Sequence, residues 1–261
     1  MYYYGARYYD PRISIFVSVD PLAEQFVGWS PYHYVHNNPI NMIDPTGMSA
    51  EWIPDNEGNL IAEKGDNAQT LADFQGISYS EAHQQMKDQG YIDNNGNSTL
   101  KVGDKVTLDN VFTRSIENST SDLTLDVAIA GTSKTGATPE DNYNCWGSAC
   151  AGSQGKEIKV GVGIPDPNTF DNNLKNDYTP TTESNAKFGK TVLRFADSNN
   201  GTQHGAVFYG RSQDGTTYIY TKNGWYLKPE VMKLSDLKIK IPSYGTVQGH
   251  NSGQSGYYDP K

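Results

Sequence analysis

The chain has 261 residues and a formal net charge of −9 at pH 7, long enough for one sizeable core and for more than one compact unit. An acidic balance speaks against wrapping a phosphate backbone, because that binding needs Lys and Arg to displace condensed counterions; no nucleic-acid partner is expected. No apolar run reaches the roughly 20 residues of a bilayer span, and the opening MYYYGARYYDP lacks the charged and apolar regions of a secretory signal, so any export is expected to use another route.

Residues 1 to 48 are crowded with Tyr, Pro, Asn and Asp-Pro dipeptides. Proline and its preceding residue favour extended or turn backbone, which predicts short strands and turns. Aliphatic residues are too few for a separate core, as in a fragment of a larger β structure. The run Tyr3-Tyr4-Gly5-Ala6-Arg7-Tyr8-Tyr9-Asp10-Pro11, then Phe16, Asp20-Pro21-Leu22, Tyr34-Val35, Asn37-Asn38-Pro39-Ile40-Asn41 and Ile43-Asp44-Pro45-Thr46-Gly47, resembles the end of the Rhs-repeat-associated core. In that family the core is a β-shell around a variable C-terminal toxin, released by aspartyl self-cleavage at a DPxG element. The resemblance implies that Asp20 and Asp44 correspond to the acidic residues near that cut and that Met48 ends the core. The alternative is a linker with inert aspartates, since two carboxylates share a proton only when a scaffold holds them together. On either reading the effector is expected after residue 48, with a cognate immunity protein as partner.

Residues 58 to 112 carry a helical rhythm. Leu71, Ala72 and Phe74 fall on one helix, and Ala82 and Met86 on a second, which Ser78 and Glu81 open as a capping box. Flanking stretches LIAEKG and KVGDKVTLD alternate as strands, so the order is strand, helix, helix, strand. With Gly65-Asp66, Leu71-Ala72, Gly76-Ile77-Ser78 and Leu100-Lys101-Val102-Gly103-Asp104-Lys105-Val106, the segment resembles a LysM module, apart from an inserted DNNGNST. That resemblance implies binding of N-acetylglucosamine-containing glycans through backbone groups of loops, here Gly65, Asp66, Asn67, Gly76 and Ile77. A purely structural packing unit is the alternative.

Residues 113 to 245 hold both cysteines, in NYNCWGSAC. Five positions apart on a helix they are separated by about 7.5 Å of rise, beyond the reach of a disulfide. His33, His36, His83, His204 and His250 show no metal-ligand spacing, so neither metal nor cofactor is expected. Cys145 follows a polar loop and precedes small residues able to start a buried helix, where free N–H groups and the dipole favour a thiolate. Cys150, among Ala and Gly, reads as packing. His204 opens the first strand of a hairpin around Asp214-Gly215, in the same module as Cys145, and is the expected base. Pairing across that turn sets Asn223 opposite His204 as orienter; a one-residue shift sets Trp225 there, and Asp214 is a further alternative. Residues 246 to 261, rich in Gly and Ser, read as a loose tail that makes His250 a poor catalyst.

Asn144-Cys145-Trp146-Gly147-Ser148-Ala149 followed by Thr202-Gln203-His204-Gly205-Ala206-Val207-Phe208-Tyr209 resembles papain-like hydrolases of the NlpC and CHAP type, with CWG where those families commonly carry CSG or CSA. The expected fold is α+β: a LysM-like βααβ module, then a papain-like domain with Cys on an N-terminal helix and His on an antiparallel sheet. The expected function is a secreted Rhs-type effector, a cysteine amidase or endopeptidase acting on peptidoglycan in the target's periplasm or wall. The alternatives are a cysteine protease, deamidase or acyltransferase acting on a cytosolic protein, and a non-catalytic glycan-binding module.

Overall fold

A computed structural model describes residues 1–3, 7–19, 30–34, 52–119, 144–159, 163–197, 201–212, 215–224, 227–251 and 254–261. Asp20, His36, Asp44, Met48, Asp214 and Trp225 lie outside the described residues. The architecture is α+β, and its residues group into two compact units. Among the described residues no helix is long and apolar enough to cross a membrane.

The first unit takes residues 1–53, 61–106 and 212–215. Tyr2–Tyr3 (β1), Tyr8–Asp10 (β2) and Ile15–Phe16 (β3) form an antiparallel sheet in that order. Its core is aromatic: Tyr9, Phe16 and Tyr34 cluster, with Tyr9 and Tyr34 ring centroids 4.1 Å apart. The buried Arg7 guanidinium lies 3.7 Å from the Phe16 centroid, a cation–π contact that stands in for missing aliphatics.

Ile53–Pro54 (β4), Leu60–Ile61 (β5) and Lys105–Val106 (β6) form a second three-stranded sheet, ordered β4-β5-β6. Between β5 and β6 run Ala68–Gln75 (α1) and Tyr79–Asp88 (α2). Each starts at a reciprocal cap, Asn67 with Thr70 and Ser78 with Glu81, which satisfies the orphan N–H groups of a first turn. Leu71 and Ala72 of α1 and Ala82 and Met86 of α2 are buried, and Gly76, at φ 67°, closes α1 in the left-handed region. The inserted DNNGNST is a tight turn: Asp93 accepts from the N–H groups of Asn95 and Asn97, and Ile92 bridges Ser98.

The second unit takes residues 54–60, 107–211 and 216–261. The expected boundary at 112/113 falls inside a helix, Val111–Glu117 (α3), whose Phe112 packs on Tyr209 and Tyr220. Then come Cys145–Ser153 (α4), Pro167–Asp177 (α5), Tyr178–Thr181 (β7), Val192–Ala196 (β8), Thr202–Arg211 (β9), Thr217–Thr221 (β10), Glu230–Lys233 (β11), Leu234–Lys240 (α6), Thr246–Val247 (β12) and Tyr257–Pro260 (β13). The sheet runs β11-β10-β9-β8-β13-β7, with β12 also on β8, and its pairs are antiparallel. Leu193, Phe195, Ala206, Phe208, Ile219 and Met232 build an apolar cluster with Leu234 and Leu237 of α6.

Residues 246–261 are therefore not a loose tail. Strand β13 sits between β7 and β8, pairing Tyr258 with Pro180 and Val192. Tyr257 and Tyr258 of this strand are buried. Tyr257-Tyr258-Asp259-Pro260 repeats the residues of 8–11, the first three of which form β2.

Candidate functional site

Cys145 is the first residue of α4. Asn144 caps the helix: its Oδ1 accepts from Gly147 N at 2.9 Å and Ile164 N at 3.2 Å, and its Nδ2 donates to Ile164 O at 2.5 Å. This buried amide locks the approach of the chain to the helix. Small residues let α4 lie close to β9. A Cβ on Gly152 would stand 2.4 Å from Phe112 Cε1, and one on Gly205 would stand 2.9 Å from Phe170 Cζ and 3.4 Å from Trp146 Cδ1.

The thiol lies within hydrogen-bonding reach of the main-chain N–H groups of Gly205, Trp146 and Cys145 itself. Gly205 is two residues beyond the last β9–β10 pair, Val207 with Tyr220. The helix N-terminus thus meets the sulfur as expected, but it does not make a standing thiolate. Burial pushes the thiol up to about 11, outweighing those N–H groups and the nearby Lys222 cation.

His204, adjacent to Gly205, is fully buried on β9, and burial holds its imidazole down to about 3. Its ring stacks on Tyr244, with centroids 4.1 Å apart and planes 5° apart, and meets Phe195 edge-on. Nε2 lies 2.7 Å from Thr221 Oγ1, and that hydroxyl lies 2.9 Å from Asn223 Oδ1. Nδ1 is buried and has no hydrogen-bond partner. The structure therefore brings His204 and Asn223 into one string with Thr221 between them, rather than in direct contact. Cys145 makes no hydrogen bond to this string: Gly205, whose N–H the thiol reaches, faces Trp146 and Phe170, whereas His204 pairs with Phe195 on the opposite face of β9.

Cys150 also carries a thiol raised to about 11 by burial, with Tyr178 as its side-chain partner. A cleft of about 330 Å³ opens over it, lined by Gly147, Gln154, Lys156, Asn173 and Asp177 among others, but its described lining holds no histidine. This cleft favours access to Cys150, whereas the N–H groups at the start of α4 reach Cys145.

The loop sites of the first unit are used internally. Asp66 Oδ2 accepts from Glu63 N at 2.7 Å, and burial raises its carboxyl to about 7. Asn67 is the α1 cap, Gly65 takes φ 104°, and Gly76 and Ile77 join the two helices. Main-chain groups are what these residues leave for a ligand.

His250 is part of a cluster that the sequence reading missed. Its Nδ1 lies 2.8 Å from Tyr258 Oη and its Nε2 lies 3.1 Å from Asp171 Oδ1. Asp171 also receives Arg194 Nε at 3.0 Å and Thr202 Oγ1 at 2.5 Å. Burial would raise the Asp171 carboxyl, but hydrogen bonds from His250, Arg194 and Thr202 overrule it and hold it well below the usual range. The cluster ties His250 and Tyr258 to α5 and β8. The repeated Tyr-Tyr-Asp-Pro was the available signal.

No family model matches the chain, and no solved structure matches it. Among curated proteins, the salivary gland surface protein 1 of Aedes aegypti is 48% identical over 50 residues, 19% of this chain and 1% of that protein. Toxin subunit YenC2 of Yersinia entomophaga is 43% identical over 54 residues, 20% of this chain and 6% of that protein. The chain thus covers a small part of either relative, and one segment of it is similar to part of a toxin subunit.

Proposed function

We propose that the chain is a toxin whose second unit is a cysteine amidase or endopeptidase, with Cys145 as nucleophile, His204 as base and Asn223 as a distal orienter. The observation that carries this reading is the thiol at the start of α4, reached by the N–H of Gly205, the residue that follows His204, whose buried Nδ1 has no partner. The Cys145 sulfur would attack an amide carbonyl carbon while His204 takes the thiol proton and passes it to the leaving amine. Water would then hydrolyse the thioester and regenerate the thiol. Main-chain N–H groups at the start of α4 would hold the oxyanion. Because thiol and imidazole both rest neutral, proton transfer would accompany attack instead of preceding it.

Stem peptides of peptidoglycan are the proposed substrate, with the LysM-like segment as wall-binding element, the target's periplasm as site of action and an immunity protein as partner. Purified full chain is expected to release new amino groups from sacculi, and Cys145→Ala to abolish the release; undiminished release by that variant removes Cys145 from the mechanism. A second reading places the substrate in the target cytosol, as a protein. Killing by the chain expressed in the cytosol, but not when exported, would select it.

A further inference from the structure

We infer that Thr221 is a positioning residue that fixes the tautomer of His204, acting with Asn223 and Glu230; its catalytic meaning rests on the hydrolase reading above. The argument follows the protons. Asn223 Nδ2 faces two acceptors, Glu230 Oε1 at 3.5 Å and Met232 Sδ at 3.6 Å. Turning the amide over would set its oxygen against the carboxylate, so Oδ1 faces Thr221.

An amide oxygen only accepts, so the Thr221 hydroxyl spends its one proton on Asn223 Oδ1 at 2.9 Å. Thr221 Oγ1 is then the acceptor in its 2.7 Å contact with His204, and Nε2 carries the hydrogen. A neutral imidazole has a single N–H, which leaves the lone pair on Nδ1, the buried atom without a hydrogen-bond partner. Water does not compete along the string, since His204, Thr221, Asn223 and Glu230 are 0, 1, 6 and 8% exposed. The Tyr244 ring lies flat on the imidazole while its hydroxyl donates to Asn223 O at 3.2 Å, so ring plane and string are held together. Glu230 thus orients the amide, the amide orients the hydroxyl, and the hydroxyl selects Nδ1 as the basic nitrogen.

The test is nitrogen NMR of full chain carrying 15N-histidine at pH 7, with the His204 signals identified by their loss in His204→Gln. Wild type is expected to show a protonated Nε2 and a bare Nδ1. Thr221→Val, which keeps the shape and removes the hydroxyl, is expected to give the other tautomer or a mixture. On soluble peptidoglycan fragments its kcat should fall about tenfold or more with KM changed less, and Thr221→Ser should restore both tautomer and rate. A protonated Nδ1 in wild type, or a Thr221→Val variant with unchanged tautomer and rate, overturns the relay. The wild-type spectrum needs neither substrate nor variant, so it judges the relay even if Thr221→Val fails to fold. An inactive chain with the expected tautomer overturns the hydrolase reading alone.

Discussion

His204 shows how burial sets chemistry one residue at a time. Its folded pKa of about 3 lies below its ordinary 6.5, so between these values the unfolded chain binds a proton that the folded chain refuses. Stability from this group is complete above pH 6.5 and is lost as pH falls toward 3, by an amount on the order of a few kcal/mol. His204→Gln should therefore flatten the acid side of the stability curve between these pH values, as read by urea denaturation at a series of pH values. An acid limb as steep as wild type would mean that the imidazole is not buried neutral. Cys145 and His204 were legible as candidates because a thiol and an imidazole are chemically recognisable in any sequence. The thiol's pKa was not, because it depends on what covers the sulfur.

At the scale of elements, α4 shows what small residues do. It has no polar face: Gly147, Ser148, Ala149, Ala151, Gly152 and Ser153 are buried. Close approach to its neighbours replaces amphipathic contrast as the source of packing. Gly152→Ala would place a methyl 2.4 Å from Phe112 Cε1, and the ring would have to shift. A loss of about 1–3 kcal/mol in urea denaturation is expected, and an unchanged midpoint would show that Phe112 yields without cost. The reciprocal caps of α1 and α2 are built from residues three apart, so sequence alone can reveal them, as it did with Ser78 and Glu81. The Asn144 cap was less legible, because two of its three side-chain bonds go to Ile164, twenty residues away.

For the whole molecule, the decisive feature is the return of the C-terminal segment into the main sheet. Strand β13 separates β8 from β7, and the Asp171–His250–Tyr258 contacts fasten the turn that leads into it. Removing residues 246–261 should expose β8 and β7 along their inner edges and abolish cooperative unfolding of this unit, as followed by near-UV circular dichroism. A truncated chain that still melts in one sharp transition at the wild-type temperature would contradict that role. The 50-residue and 54-residue similarities to much longer proteins do not bear on this sheet order, which joins strands far apart in the chain.

The amino-acid sequence by itself determined the α+β class, the Ser78–Glu81 cap that starts α2, and the hairpin that carries His204. These follow from hydrogen bonds, periodicity and covalent chemistry contained within a few residues. Only the tertiary structure decided that Thr221 stands between His204 and Asn223, that both thiols rest protonated, and that the Gly-rich end supplies a buried strand. Those outcomes depend on desolvation and on strand pairs made by distant residues, which spacing along the chain does not encode.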